Sequence, residues 1–422
     1  MTRGFPTQYL DKLENLPLWQ TGLILFLLTV VMRILLFAAL HRWEIIMRSE
    51  LEQVAISLAT TSTFANPYHI PTGQTAHVAP IYPFLLSIIY AIFGTGLGGE
   101  WAEQAFNVFA AAAVFGMLPF FSLQMLGEKL PGIIAGAVSA VSPAAFLVET
   151  QGKEAPFASF VFLLIIFASA WIWRWGAFFP APAVWYGLLW AVGLLTYPGF
   201  LFVMFGMLAM ACIFAKPMER RYRYSFVGIV IMTCAVGLLP WIMRNYHVFG
   251  EIFFVRDNLG LELALSNHDQ ARISMDDNAQ SGAFRRHPWA SKDEALRLKE
   301  LGEYRYHQVR KEEARKWMKT HPVAFAKLTA GRIVNYWFPF RAKRFQFVIV
   351  SFLNVAALVG LILLYPRNPR LAKAVGAVWL LYSIPYWFIQ GDLRYSYPIA
   401  WSNALMAGLA LTTVVRRLTA EA

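Results

Sequence analysis

The stretch TGLILFLLTVVMRILLFAAL, residues Thr21 to Leu40, decides the class of fold. Twenty helical residues rising about 1.5 Å each span about 30 Å, the thickness of the hydrocarbon core of a bilayer. Further apolar blocks lie near 81–93, 103–125, 131–148, 155–173, 183–196, 199–215, 225–243, 345–365, 371–389 and 396–415. With 58% of 422 residues hydrophobic and 15% charged, the chain has too little polar surface to cover a soluble globule. These features predict an all-α polytopic membrane protein.

The net charge of +12 sits in short loops between apolar blocks, where it sets topology. A nucleic-acid face needs a contiguous basic patch, so no nucleic-acid partner is expected. Cys212 and Cys234 both fall inside apolar blocks, which leaves no basis for a disulfide framework or a cysteine metal site. No cleavable signal pattern precedes the first block, which is expected to stay as a span.

Block 81–93 is short, about 20 Å of helix, with Pro80 and Pro83 at its mouth, and is expected to lie at the interface. About ten spans then remain. With the N-terminus inside, the cytoplasmic side collects Arg3, Lys12, Lys129, Arg174, Lys216, Arg367 and Arg416, while the outside keeps Arg42, Arg48, Lys153 and Arg394. If block 81–93 spans and the N-terminus is outside, the basic count ties, so charge alone does not settle the topology.

Three parts follow. Residues 1–243 form an N-terminal membrane module with a first outer loop at 41–102. Residues 244–344 form a large outer segment, and 345–422 form the C-terminal spans. Within the outer segment a charged helix is predicted from Ser291, a plausible N-cap, to Thr320, stopped by Pro322. VAFAKLTAGRIVNYWFPF, which follows it, is expected to lie along the membrane surface.

This topology places Glu50, Glu52, Glu149 and Glu154 on the outer face. Carboxylates at a membrane are costly unless paired, which marks them for a purpose, although Glu50 and Glu52 also suit the solvated face of the helix RSELEQVAISLA. Arg33, two-thirds of the way through the first block, either snorkels to the interface or faces a polar cavity. Arg394 in QGDLRYSYP is either the surface partner of Asp392 or a phosphate contact beside Tyr395. His41, His69, His77, His268, His287, His307 and His321 are dispersed without HxxxH or HExxH spacing, so no histidine metal site is expected. His77 is either a plain loop residue or part of a site lining.

Several ordered segments carry a resemblance. They are SELEQVAISLATTSTFANPY and PTGQTAHVAPIYPFLLSIIYAIFG, residues 49–68 and 71–94, then GLLWAVGLLTYPGFL and PWIMRNYHVFGEIFFVRDNLGLEL, residues 187–201 and 240–263. Together they resemble the membrane glycosyltransferases of the C-type fold, the superfamily of protein O-mannosyltransferases, aminoarabinose transferases and oligosaccharyltransferases. The resemblance implies transfer of a sugar from a polyprenyl-phosphate donor to a lipid, glycan or protein acceptor, with surface helices in the first outer loop. It also implies a multi-pass protein, as in a bacterial inner membrane, with its active site facing the periplasm.

By the same resemblance Glu50 matches the acidic position proposed as catalytic base or acceptor-orienting group. Glu154 matches a position that helps to bind metal in oligosaccharyltransferases, which makes a divalent metal a possible cofactor. Relatives often carry Asp at the first position, and aminoarabinose transferases carry Lys where this chain has Ala79. Phosphate recognition is therefore expected from Arg33, His77, Arg244, Arg332 and Arg394, with Glu52 and Tyr395 as further substrate contacts. Two rival readings are a lipid-linked glycan flippase, which the nearly charge-free middle spans and long outer segment disfavour, and a catalytically silent scaffold.

Overall fold

In the computed structural model the described residues are 14–40, 48–214 and 220–420. Arg3, Lys12, His41, Arg42 and Lys216 fall outside them. The described residues form helices and loops, with no strand among them. The first helix, α1 (Leu18–Ala39), is followed by α2 (Glu50–Thr61), the short α3 (Ile81–Phe93) and the long α4 (Leu97–Leu126). A bent pair, α5 (Leu130–Val141) and α6 (Pro143–Glu149), leads to α7 (Ala155–Trp175), α8 (Pro180–Thr196), α9 (Leu201–Phe214) and α10 (Arg220–Phe249). The long segment holds α11 (Leu259–Ser266), α12 (Met275–Gln280), α13 (Lys292–Leu301), α14 (Glu303–Thr320) and α15 (Pro322–Trp337). The chain closes with α16 (Arg344–Arg367), α17 (Pro369–Ser383) and α18 (Tyr397–Ala420).

Among the described residues six helices are long and apolar enough to cross a membrane: α1, α4, α7, α10, α16 and α18. Counting the bent pair α5 and α6 as one span makes seven. The other three expected spans are shorter helices, α8, α9 and α17, of 17, 14 and 15 residues. Pro198 opens a 3-10 turn between α8 and α9, and Pro385 lies in another directly after α17. Block 81–93 is a 13-residue helix, too short to cross, as expected. The charged helix begins at Ser291, whose hydroxyl accepts the Glu294 amide, but it breaks into α13 and α14 at Gly302, whose φ is +79°.

Ion pairs identify the two ends of the bundle. At one end Glu50 pairs with Lys153 and Arg48 approaches Glu100. At the other, Glu128 is met by Arg367 and Arg416, and Arg416 also reaches Glu14. The 50 and 153 loops therefore share one end, here called the loop end.

Arg33 does not snorkel. It is wholly buried, and its guanidinium holds Glu149 by Nε at 2.5 Å and by a terminal nitrogen at 2.9 Å. It also donates to the carbonyls of Ala140 and Ser139 at 2.6 and 3.2 Å. Tyr397 completes the group by donating to Glu149 at 2.6 Å. This network joins α1, the bent pair and α18. A charge removed from water this completely persists only when paired and hydrogen-bonded, and Arg33 is both.

Candidate functional site

The site begins at the N-terminus of α2. Ser49 and Glu52 form a capping box: the Ser49 hydroxyl accepts the Glu52 amide, and Glu52 Oε2 accepts the Ser49 amide at 2.5 Å. This fixes Glu50 in the first turn. Gly152 packs against the box with φ +62°, and a β-carbon there would lie 2.7 Å from Glu52 Oε2. Its carbonyl accepts the Ser49 hydroxyl at 2.7 Å. Only glycine fits both the conformation and the approach, and the next residue, Lys153, thereby reaches Glu50 Oε2 at 2.6 Å.

Loop 64–79 supplies the next wall. Arg244, near the end of α10, donates to the carbonyls of Thr75 and Phe64 at 2.7 and 3.1 Å. Glu303, at the start of α14, accepts the Thr75 hydroxyl and the Ala76 amide, each at 2.5 Å. Arg256 donates to the His77 carbonyl at 2.7 Å. Held from three sides, His77 is buried, and its Nδ1 lies 3.1 Å from the Tyr68 hydroxyl. His287 arrives from the long segment, with its ring centre 5.9 Å from that of His77.

Glu50, His77 and His287 each offer one potential ligand atom, and these atoms lie within 4.8 Å of one another. The expectation that the histidines stay dispersed is corrected: positions 77 and 287, far apart in sequence, meet through the packing of the long segment onto the first loop. Burial would push the Glu50 carboxyl up, but Lys153, then His287 and His77, hold it well below the usual range. Burial, with Arg256 next, pushes His77 well below its ordinary value, and burial brings His287 down to about 4. At neutral pH the trio is thus one carboxylate and two neutral imidazoles, the protonation state a divalent metal requires of its ligands. One detail limits the fit: His287 Nδ1 already accepts the Trp289 amide at 3.0 Å.

The remaining expected residues divide. Glu52 is buried and turned into its capping role, and burial followed by the Glu103 charge pushes its carboxyl up to about 9. Arg33 is likewise withdrawn, saturated by Glu149 and two carbonyls. Arg244 is committed to loop carbonyls and stacks over Trp241 at 4.8 Å. Glu154 is not in the trio; its neighbour Lys153 is the residue that meets Glu50, and the charge of Glu154 is felt instead at Arg394.

Arg394 lies 3.5 Å from Asp392 and over the ring of Tyr395 at 5.1 Å, with its side chain 20% exposed. Arg332 is buried and pushed down to about 10 by that burial. It donates to Asn267, to the Ser266 carbonyl and to the Phe388 carbonyl, and it has no carboxylate partner among the described residues. Arg332, Tyr395, Gln151 and Asp392 line a polar cavity of about 110 Å³. An apolar cavity of about 310 Å³ adjoins it, and both are lined by Tyr336, Leu393 and Ser396. Sequence reasoning missed Lys153 as a partner and Tyr68 and His287 as lining; no local pattern marks them.

No protein-family profile and no curated protein matches the sequence. Among the solved structures that share its fold are two of an archaeal enzyme. One is the archaeal oligosaccharyltransferase AglB from Archaeoglobus fulgidus in complex with an inhibitory peptide and a dolichol-phosphate, at 13% identity and a TM-score of 0.58. The other is the Archaeoglobus fulgidus oligosaccharyltransferase in the apo form, at 15% identity and a TM-score of 0.56. Each match covers 94% of this chain and 50% of the other, so the chain spans about half the length of those proteins. The chain is therefore an integral membrane protein with the C-type glycosyltransferase fold.

Proposed function

From that fold we propose that the protein moves a sugar from a polyprenyl-phosphate-linked donor to a lipid, glycan or protein acceptor, at the outer face of the membrane. The observation that carries this reading is Glu50, held ionised by Lys153 and walled by His77 and His287, at the end of the bundle where four segments converge. In the reaction an acceptor oxygen bonds to the anomeric carbon as the bond from that carbon to phosphate breaks. The bonding electrons leave with the polyprenyl phosphate. A carboxylate held this far below its usual range is a weak base, so Glu50 orients the acceptor hydroxyl and takes its proton only as positive charge develops on the attacking oxygen.

The paired cavities suit the donor. Arg332 and Tyr395 offer donors to a phosphate in the polar chamber, with Arg394 beside it. The apolar chamber lined by Val148, Leu353 and Trp337 would take the first isoprene units. The dolichol-phosphate in the archaeal neighbour is a ligand of the same chemical class. If a divalent metal takes part, Glu50, His77 and His287 would hold it, supplying positive charge at the departing phosphate.

The test is transfer from a polyprenyl-phosphate sugar by purified protein, with envelope extracts as acceptor and mass spectrometry as readout. Glu50→Gln is expected to lower the rate at least ~100-fold, within the usual range for a positioned acid-base group. Wild-type activity in Glu50→Gln would remove Glu50 from the mechanism.

A further inference from the structure

A second trio lies behind the loop that carries His77. Asp257, Glu303 and His307 each present one potential ligand atom, all within 4.8 Å of one another, and all three residues are buried. Glu303 and His307 are one turn apart on α14 and so share a face, while Asp257 precedes α11. His307 Nδ1 stands 3.0 Å from Asp257 Oδ1. This ion pair is close but poorly directed: among the described residues neither Asp257 oxygen and neither His307 nitrogen has a hydrogen-bond partner of good geometry. The Asp257 side chain is 1% exposed and that of His307 is 0% exposed. Buried polar atoms are nearly always satisfied, and an unsatisfied carboxylate is among the costliest exceptions. One oxygen from each carboxylate and one imidazole nitrogen gathered in a buried space call for a cation.

We infer that Asp257, Glu303 and His307 bind a divalent cation of the zinc class, which locks the His77 loop onto the long segment. Two carboxylates neutralise the dication, and the imidazole favours zinc over magnesium, which prefers an all-oxygen shell. Zinc ligand atoms at ~2.1 Å from the ion stand ~3.4 Å apart in a tetrahedron, so the trio needs to contract by only ~1 Å. Glu303 is already oriented by Thr75 and Ala76, as ligating carboxylates generally are by outer-shell donors. A fourth position remains for water. The consequence for the neighbouring site is direct, since the Thr75 and Ala76 groups held by Glu303 set the path of the chain into His77, whose ring centre is 6.0 Å from that of His307.

The experiment uses the full chain in detergent, stripped with chelator and reloaded with zinc chloride. Bound zinc is measured by elemental analysis and its effect by thermal unfolding. In the His287→Ala background, which dismantles the trio containing Glu50, zinc is expected to bind at about one per chain and to raise the melting temperature. Adding Asp257→Asn or His307→Gln should weaken zinc binding by more than the ~10–100-fold typical of losing an outer-shell partner, and abolish the shift. Cobalt in the His287→Ala chain gives a spectroscopic measurement, because the visible bands of a four- or five-coordinate site should appear and be displaced by zinc. Three results would overturn the inference: equal zinc binding with and without the Asp257 and His307 substitutions, loss of all bound zinc in His287→Ala alone, or cobalt spectra of the free hexaaqua ion.

Discussion

Lys153→Met removes the cation that pairs with Glu50, and its effect can be worked from the geometry. The pair is 2.6 Å apart, with side chains 18% and 15% exposed. An opposite charge this close typically shifts a carboxyl by about 1–3 units, or about 1.4–4 kcal/mol at 1.36 kcal/mol per unit. Partial exposure lets water screen the pair, so the lower half of that range is expected. The sign follows from the direction of the shift. A carboxyl depressed in the folded state contributes stability above its unfolded value, and that contribution is lost as pH falls through the folded value. Without Lys153 the burial contribution dominates and the folded value climbs. Two measurements follow: melting temperature against pH, and transfer rate against pH. Both acid limbs should move to higher pH by about 1–2 units, while Lys153→Arg, which keeps the charge, should move them little. If Lys153→Met folds normally and both limbs stay in place, the ion pair does not govern the ionisation of Glu50, and the electrostatic account of the site fails.

Arg33→Met strands Glu149 in the interior and is expected to cost about 3–5 kcal/mol in detergent unfolding, whereas Arg33→Met with Glu149→Gln should recover most of that loss. Gly152→Ala forces a β-carbon toward Glu52 at a positive φ, with an expected cost of about 1–3 kcal/mol; a melting temperature equal to wild type would contradict the packing drawn here. With Cys212 and Cys234 replaced by alanine, single cysteines at Arg48 and Lys292 should react with an impermeant thiol reagent from outside intact cells. A cysteine at Arg367 should react only after permeabilisation, and labelling of all three from one side would dismantle the topology.

The membrane class, the shortness of helix 81–93 and the loop junction of Glu50 with the segment after α6 were legible because they depend on helix length and hydropathy, both local properties. The break at Pro198 was legible as the gap between blocks 183–196 and 199–215, whereas block 371–389 runs through Pro385, where only backbone geometry reveals the turn. The site was half legible. Glu50 and His77 lie in ordered motifs of the first loop, but His287 and Lys153 are ordinary loop residues until folding seats them. Arg33 shows the limit most clearly: the cost of a charge in an apolar block demanded some resolution, yet its partner, Glu149, is 116 positions away and nothing in the sequence joins the two.

The bend of 67° between α5 and α6 has a consequence for how this protein can change. A helix that stops before Ser142 and Pro143 leaves the carbonyls of its last turn short of amide donors, and lipid offers none. Arg33 donates to two carbonyls there: Ala140 at 2.6 Å, and Ser139, which also accepts the Ser142 amide, at 3.2 Å. One side chain of α1 thus stands in for the water that the broken end would have at a protein surface. The kink and the cation are mutually dependent, and neither can be lost first: straightening the helix takes acceptors from the guanidinium, and deleting the guanidinium leaves bare backbone at membrane depth. Substitutions at positions 33, 143 and 149 should therefore be tolerated only in combination, making this corner the most constrained part of a bundle whose lipid-facing surface is otherwise free to drift.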